Sequence, residues 1–214
     1  RPETIDSQNW KLFLDENSVP SSKIIVEGAN SFVTPEARLQ LQKSGIVIMR
    51  DASANKCGVI SSSYEIIANL LLSEREFLEH KERYIGEVLD ILTKRAADEA
   101  SLILRRRRES GNTLLCRDIS ETISQNINSL YSRLFDFFTM RPELCLQPPF
   151  RQAVVRHLPR MLQESAAFRL RIKKLPTKYL CAILAAEIGS SLVYTGSRDA
   201  DFEDMIRRHL TRVL

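Results

Sequence analysis

The sequence predicts a mainly α fold, with a short two-stranded parallel α/β unit near the N-terminus and a helical bundle from about Ser73 onward. Three observations predict it. Two short apolar runs, Ile24–Val26 and Ile46–Met49, flank a stretch with helix signals, and that order joins parallel strands by a crossover. Beyond Ser73, apolar residues recur at spacings of three, four and seven over long windows, which is helical periodicity. Pro142, Pro148, Pro149 and Pro159 fall where those helices should break.

Taken in order, residues 1–22 read as a surface lead-in, with Trp10, Phe13 and Leu14 in one amphipathic turn that Val19-Pro20 ends. Ile24, Ile25 and Val26 form a strand of the kind buried on both faces of a parallel sheet. Thr34 caps the next helix, Pro35 takes its first position, and Gly45 stops it in a left-handed conformation. Ile46–Met49 is the second strand, and Ala52 to Ser63 reads as a polar turn leading into a helix that runs from Val59 to Leu72. A right-handed crossover opens Asn30 and the Asp51–Ser62 turn at the same carboxyl edge, where open α/β sheets bind ligands.

Ser73 with Glu76 forms a capping box, and Phe77, Tyr84, Val88, Leu92 and Ile103 carry one long helix to a stop at Gly111. Asp118 and Glu121 resemble a cap for the next, whose stripe runs from Ile119 to Met140. An irregular connection spans Arg141–Phe150. A helix restarted at Pro159, one over Thr177–Tyr194 and one over Asp199–Val213 complete the chain.

Composition narrows the function classes. The 214 residues are 43% apolar and 27% charged, and no apolar run approaches the roughly 20 residues that span a bilayer, so no membrane role is expected. The first residue is not Met and Arg1–Trp10 lacks an apolar signal core, so the chain reads as cut from something longer. Cys57, Cys116, Cys145 and Cys181 are widely spaced with no C-x-x-C pair or clustered His, which predicts free thiols in a reducing cytoplasm and no metal site. Net charge is +4, with Arg105–Arg108 together. Those arginines close a predicted helix, where cations complement the macrodipole, and no aromatics interleave to stack bases, so no nucleic-acid partner is expected.

At the strand ends the residues meet a family. Glu27-Gly28-Ala29-Asn30 followed by Thr34-Pro35-Glu36-Ala37, then Asp51-Ala52-Ser53-Ala54-Asn55-Lys56-Cys57-Gly58-Val59 and Ser62-x-x-Glu65, resembles the second half of the dinucleotide domain of glutamate dehydrogenases of the large NAD-dependent bacterial type. The resemblance is dense over residues 23–67. It continues more weakly through a helical region that includes His157-Leu158-Pro159 and Ile183–Ile188.

The resemblance implies a Rossmann-like remnant, residues 1–72, as the C-terminal half of a dinucleotide-binding domain, and 73–214 as a helical C-terminal domain. It implies NAD as cofactor, L-glutamate and 2-oxoglutarate as substrate and product, the rest of a parent chain as partner, and a homo-oligomer. The reaction is hydride transfer between the glutamate α-carbon and nicotinamide, with ammonia released on imine hydrolysis. Gly28, Ala29, Asn30 and Asn55 would bind cofactor, with Asn30 on the ribose side and Asn55 at the carboxamide, whose donor and acceptor an Asn side chain complements. Val59 and Ser62, three residues apart on one helical face, would bound the amino-acid stem and meet the distal carboxylate. Cys57 stands where the family usually has Gly.

Each residue also has a plainer role. Asn30 suits a left-handed turn, Gly58 a turn glycine, and Ser62 a helix N-cap. No G-x-G-x-x-G follows a strand, and the family's catalytic Lys and Asp have no counterpart, so no catalytic residue is assigned and the chain alone is expected to be inactive. His80, His157 and His209 lie in charged helical contexts without a nucleophile at a suggestive spacing. The alternative is a non-catalytic helical interaction or assembly module that keeps a dehydrogenase-like turn as structure.

Overall fold

The computed structural model describes residues 2–196 and Ile206, and its fold is mostly helical with one two-stranded parallel sheet. The helix expected over Asp199–Val213 lies outside the described residues, apart from buried Ile206. The chain divides into two compact units, residues 1–60 with 94–122, and residues 61–93 with 123–214.

In the first unit, β1 (Ile24–Val26) pairs in parallel with β2 (Val47–Met49), Ile25 opposite Ile48. Between them runs α1 (Pro35–Lys43), where the Thr34 hydroxyl accepts from the Ala37 amide and Gly45 follows at φ +97°, as the capping residues predict. Ala37 and Leu41 of α1 join Ile46, Ile48, Val33 and Ile5 in a buried core. The lead-in is therefore more than surface. Ile5 is buried, its amide donates to Phe32 O, its carbonyl accepts from Thr34 N, and Trp10 and Phe13 pack on the same core from a 3-10 turn.

Two expectations fail here. Ile24 and Val26, which alternation puts on one face of β1, are 50% and 61% exposed, so β1 is not covered on both sides; among the described residues β2 is its only strand neighbour. The expected turn after β2 is also mostly helical, as α2 (Asp51–Ala54) and α3 (Cys57–Leu71). Asp51 starts α2, where its carboxylate accepts from the Ala52 amide and an acid complements the helix dipole.

Two long helices follow, α4 (Glu74–Glu109) and α5 (Cys116–Met140). The capping box forms: the Ser73 amide and hydroxyl both donate to Glu76 Oε2, and the Glu76 amide donates back to Ser73 Oγ. Gly111 at φ +63° sits two residues past α4, and its amide donates to Arg108 O. Asp118 is no cap, because α5 has already begun at Cys116 and the acid lies in its first turn.

In the second unit, α6 (Pro148–His157) stops before Pro159 and α7 (Arg160–Glu164) restarts beyond it. The sequence reading has no counterpart for α8 (Ala166–Ile172), while α9 (Thr177–Thr195) runs one residue past its expected end. Nine α9 residues from Leu180 to Val193 are buried, so its apolar residues surround the axis instead of forming a stripe. Among the described residues, no helix is long and apolar enough to cross a membrane.

Candidate functional site

The residues predicted to meet a cofactor lie at the carboxyl ends of β1 and β2, and the two turns are joined. The Asn55 side-chain amide donates to Asn30 Oδ1. Beside it, the Ser31 backbone amide donates to Asp51 Oδ2 at 2.8 Å. The crossover thus brings together Asn30 and Asn55, 25 residues apart in sequence. Asn30 does not take the left-handed conformation considered for it; that falls to Ser31, at φ +53°.

Each turn has a firm base. Glu27, at the start of the first turn, is 4% exposed; its carboxylate receives Arg38 through both oxygens at 2.6 and 2.8 Å, and Arg38 also donates to Val33 O. A bidentate, buried pair of this kind is costly to break from one side. Beyond it Gly28, Ala29 and Asn30 are exposed. The second turn is held at several points. Arg50 meets Glu121, the Ser53 and Ser120 hydroxyls share a hydrogen bond, and Lys56 Nζ lies 2.8 Å from Glu99 Oε2. Partial burial works to raise the Asp51 carboxyl, but N–H donors from Ser31 and Ala52 and the Arg50 cation outweigh it, leaving the group below the ordinary aspartate value.

Neither Gly28 nor Gly58 has a left-handed φ, and a Cβ built on either would meet nothing within 4 Å. Gly58 is not the turn glycine considered for it, because it lies in the first turn of α3. Both backbones instead face open space.

Val59 lies in the first turn of α3 and is 80% exposed; Ser62 follows one turn later on the same helix and is also exposed. Ser62 is not the N-cap, since α3 already starts at Cys57. The sequence reading missed Asp51, Lys56 and Ser31 as residues that hold the turns. An acid two residues past a strand, with an amide-rich turn at the same edge, was the available signal for Asp51.

The other chemistry-bearing side chains have structural partners. His157 is buried, stacks on Tyr64 at 5.4 Å between ring centres, and its Nδ1 is 2.9 Å from Glu187 Oε2. His80 meets Phe168 edge-on, and His209 lies outside the described residues. None of the four cysteines is in a disulfide, yet two that are distant in sequence meet: Cys145 and Cys181 Sγ are 3.7 Å apart, and burial with the neighbouring thiol pushes Cys145 up to about 12. No cluster that could hold a metal occurs among the described residues.

A family model described as Glutamate/Leucine/Phenylalanine/Valine dehydrogenase matches residues 1–123. Similar proteins include a probable NAD-specific glutamate dehydrogenase of Schizosaccharomyces pombe, 32% identical over 91% of this chain and 18% of its own length. The NAD-specific glutamate dehydrogenase of Neurospora crassa is 34% identical over 94% of this chain and 20% of its own, and that of Saccharomyces cerevisiae 31% over 94% and 19%. The chain therefore spans about a fifth of these relatives. No solved structure matches it significantly. With more than half of its length matched, the chain belongs to the glutamate/leucine/phenylalanine/valine dehydrogenase family.

Proposed function

We propose that this chain is part of a larger NAD-dependent glutamate dehydrogenase, with residues 1–72 the second half of a Rossmann-like dinucleotide domain and residues 73–214 a helical C-terminal domain. The reaction is oxidative deamination of L-glutamate to 2-oxoglutarate and ammonia, in a cytoplasmic homo-oligomer. The observation that carries this reading is the meeting of Asn30 and Asn55 at the carboxyl edge of a parallel pair, in a chain whose relatives are named NAD-specific.

The residues present fit the cofactor. After their mutual hydrogen bond, the two amides retain a donor and an acceptor each without a partner among the described residues, which suits a ribose hydroxyl and a carboxamide. Open space over Gly28 and Gly58 gives a ligand access to backbone. NAD, when bound, takes up the hydride. On this reading Gly28, Ala29 and Asn30 hold the ribose side, Asn55 orients the carboxamide, Val59 bounds the amino-acid stem and the Ser62 hydroxyl donates to the distal carboxylate. The catalytic groups come from the rest of the parent chain, so the 214-residue chain alone is inactive.

Asn55→Ala in the full-length protein tests the reading. Losing hydrogen bonds to a desolvated partner costs about 1–3 kcal/mol, so kcat/KM for NAD should fall by roughly 5- to 150-fold while the melting temperature holds. Unchanged NAD kinetics would remove Asn55 from the site and favour a non-catalytic helical module.

A further inference from the structure

We propose that Lys56 and Glu99 are a positioning pair for the nicotinamide turn, through which the C-terminal third of α4 sets the orientation of Asn55. The inference rests on the cofactor reading of Asn55.

Lys56 is the single residue between Asn55 and Cys57, where α3 begins. Its carbonyl accepts from the Val59 and Ile60 amides at 3.1 and 3.2 Å, while the Asn55 carbonyl accepts from Gly58 N at 3.0 Å. The Lys56 backbone therefore starts the α3 ladder and fixes how the Asn55 turn enters it. Its ammonium reaches Glu99, 43 residues away in sequence, at 2.8 Å. Glu99 is 3% exposed, and the Lys56 side chain 24%.

A carboxylate that buried has lost most of its hydration and needs a close cation, so the contact holds Lys56 more firmly than a surface ion pair would. Loss of the tether frees the residue beside Asn55 and the start of the helix that carries Val59. Neither side chain needs to touch cofactor or substrate to act this way.

The test uses the full-length enzyme, with NADH affinity measured by fluorescence titration, initial rates in NAD, and thermal melting. The variants are Lys56→Met, Glu99→Gln, the double variant and Asn55→Ala as reference. Each single change should weaken NADH binding about fivefold or more and act mainly on KM for NAD, and the double should be no weaker than the worse single, because both remove one contact. Lys56→Arg should recover most of the affinity. If Glu99→Gln fails to fold, Lys56→Met decides, since that lysine is partly exposed. NADH binding within about twofold of wild type in the single variants, beside an impaired Asn55→Ala, overturns the inference alone. So does a double variant whose loss is the product of the two singles. An Asn55→Ala enzyme with unchanged NADH affinity overturns the cofactor reading and this inference together.

Discussion

The Asp51 carboxylate accepts the Ser31 backbone amide at 2.8 Å, across 20 residues of sequence, and so ties the end of one polar turn to the start of the next. Folding holds Asp51 below its ordinary value of 3.8. A depressed carboxylate contributes stability that is complete above the ordinary value and is lost as pH falls through the lower folded value. Acid below about pH 4 should therefore loosen the link between the turns. In a pH titration of the chain followed by NMR, the Ser31 amide proton should shift with a midpoint below 3.8, and Asp51→Asn should abolish the titration. A midpoint at or above 3.8 would remove the carboxylate from that bond.

Ser62→Ala separates substrate contact from structure. Ser62 lies inside α3 and is exposed, so the change should move stability by no more than about 0.5 kcal/mol. If the hydroxyl meets the distal carboxylate, a hydrogen bond to a charged group worth about 1.5–3 kcal/mol disappears for glutamate but not for norvaline. The ratio of kcat/KM for the two substrates in the full-length enzyme should then fall by about tenfold or more. An unaltered ratio would take Ser62 out of the substrate site.

Glu76 joins two interactions that substitution can part. Its carboxylate closes the capping box with Ser73 and receives Arg171 through both oxygens at 2.7 Å, and Arg171 also donates to Leu71 O. Gln can keep the box but loses the charge, whereas Ala loses both. Melting temperatures should therefore fall in the order wild type, Glu76→Gln, Glu76→Ala. Equal values for wild type and Glu76→Ala would show that neither contact contributes.

What was legible in the sequence was mostly local. Thr34-Pro35, Gly45, the Ser73–Glu76 box and Gly111 each act within one or two turns of chain, so their chemistry can be read directly. The meeting of Asn30 with the second turn was also legible, because a parallel crossover leaves few ways to place two strand ends. The short helix Asp51–Ala54 was not. Asp, Ser and Asn read as turn formers, and what favours helix there is the placement of Asp51 against the Ala52 amide. Ile5 is a lone apolar residue in a polar stretch, and its burial comes from pairing with Val33, 28 positions on. The Lys56–Glu99 contact likewise joins residues with no shared local pattern.

The central claim is tested most directly by initial rates of NADH formation by the full-length protein with glutamate, leucine, phenylalanine and valine, the four amino acids in the family's description. NADH should form with glutamate in strong preference to the other three, with 2-oxoglutarate released in equal amount. A preference for one of the other three, or no amino-acid-dependent NADH at all, would contradict it.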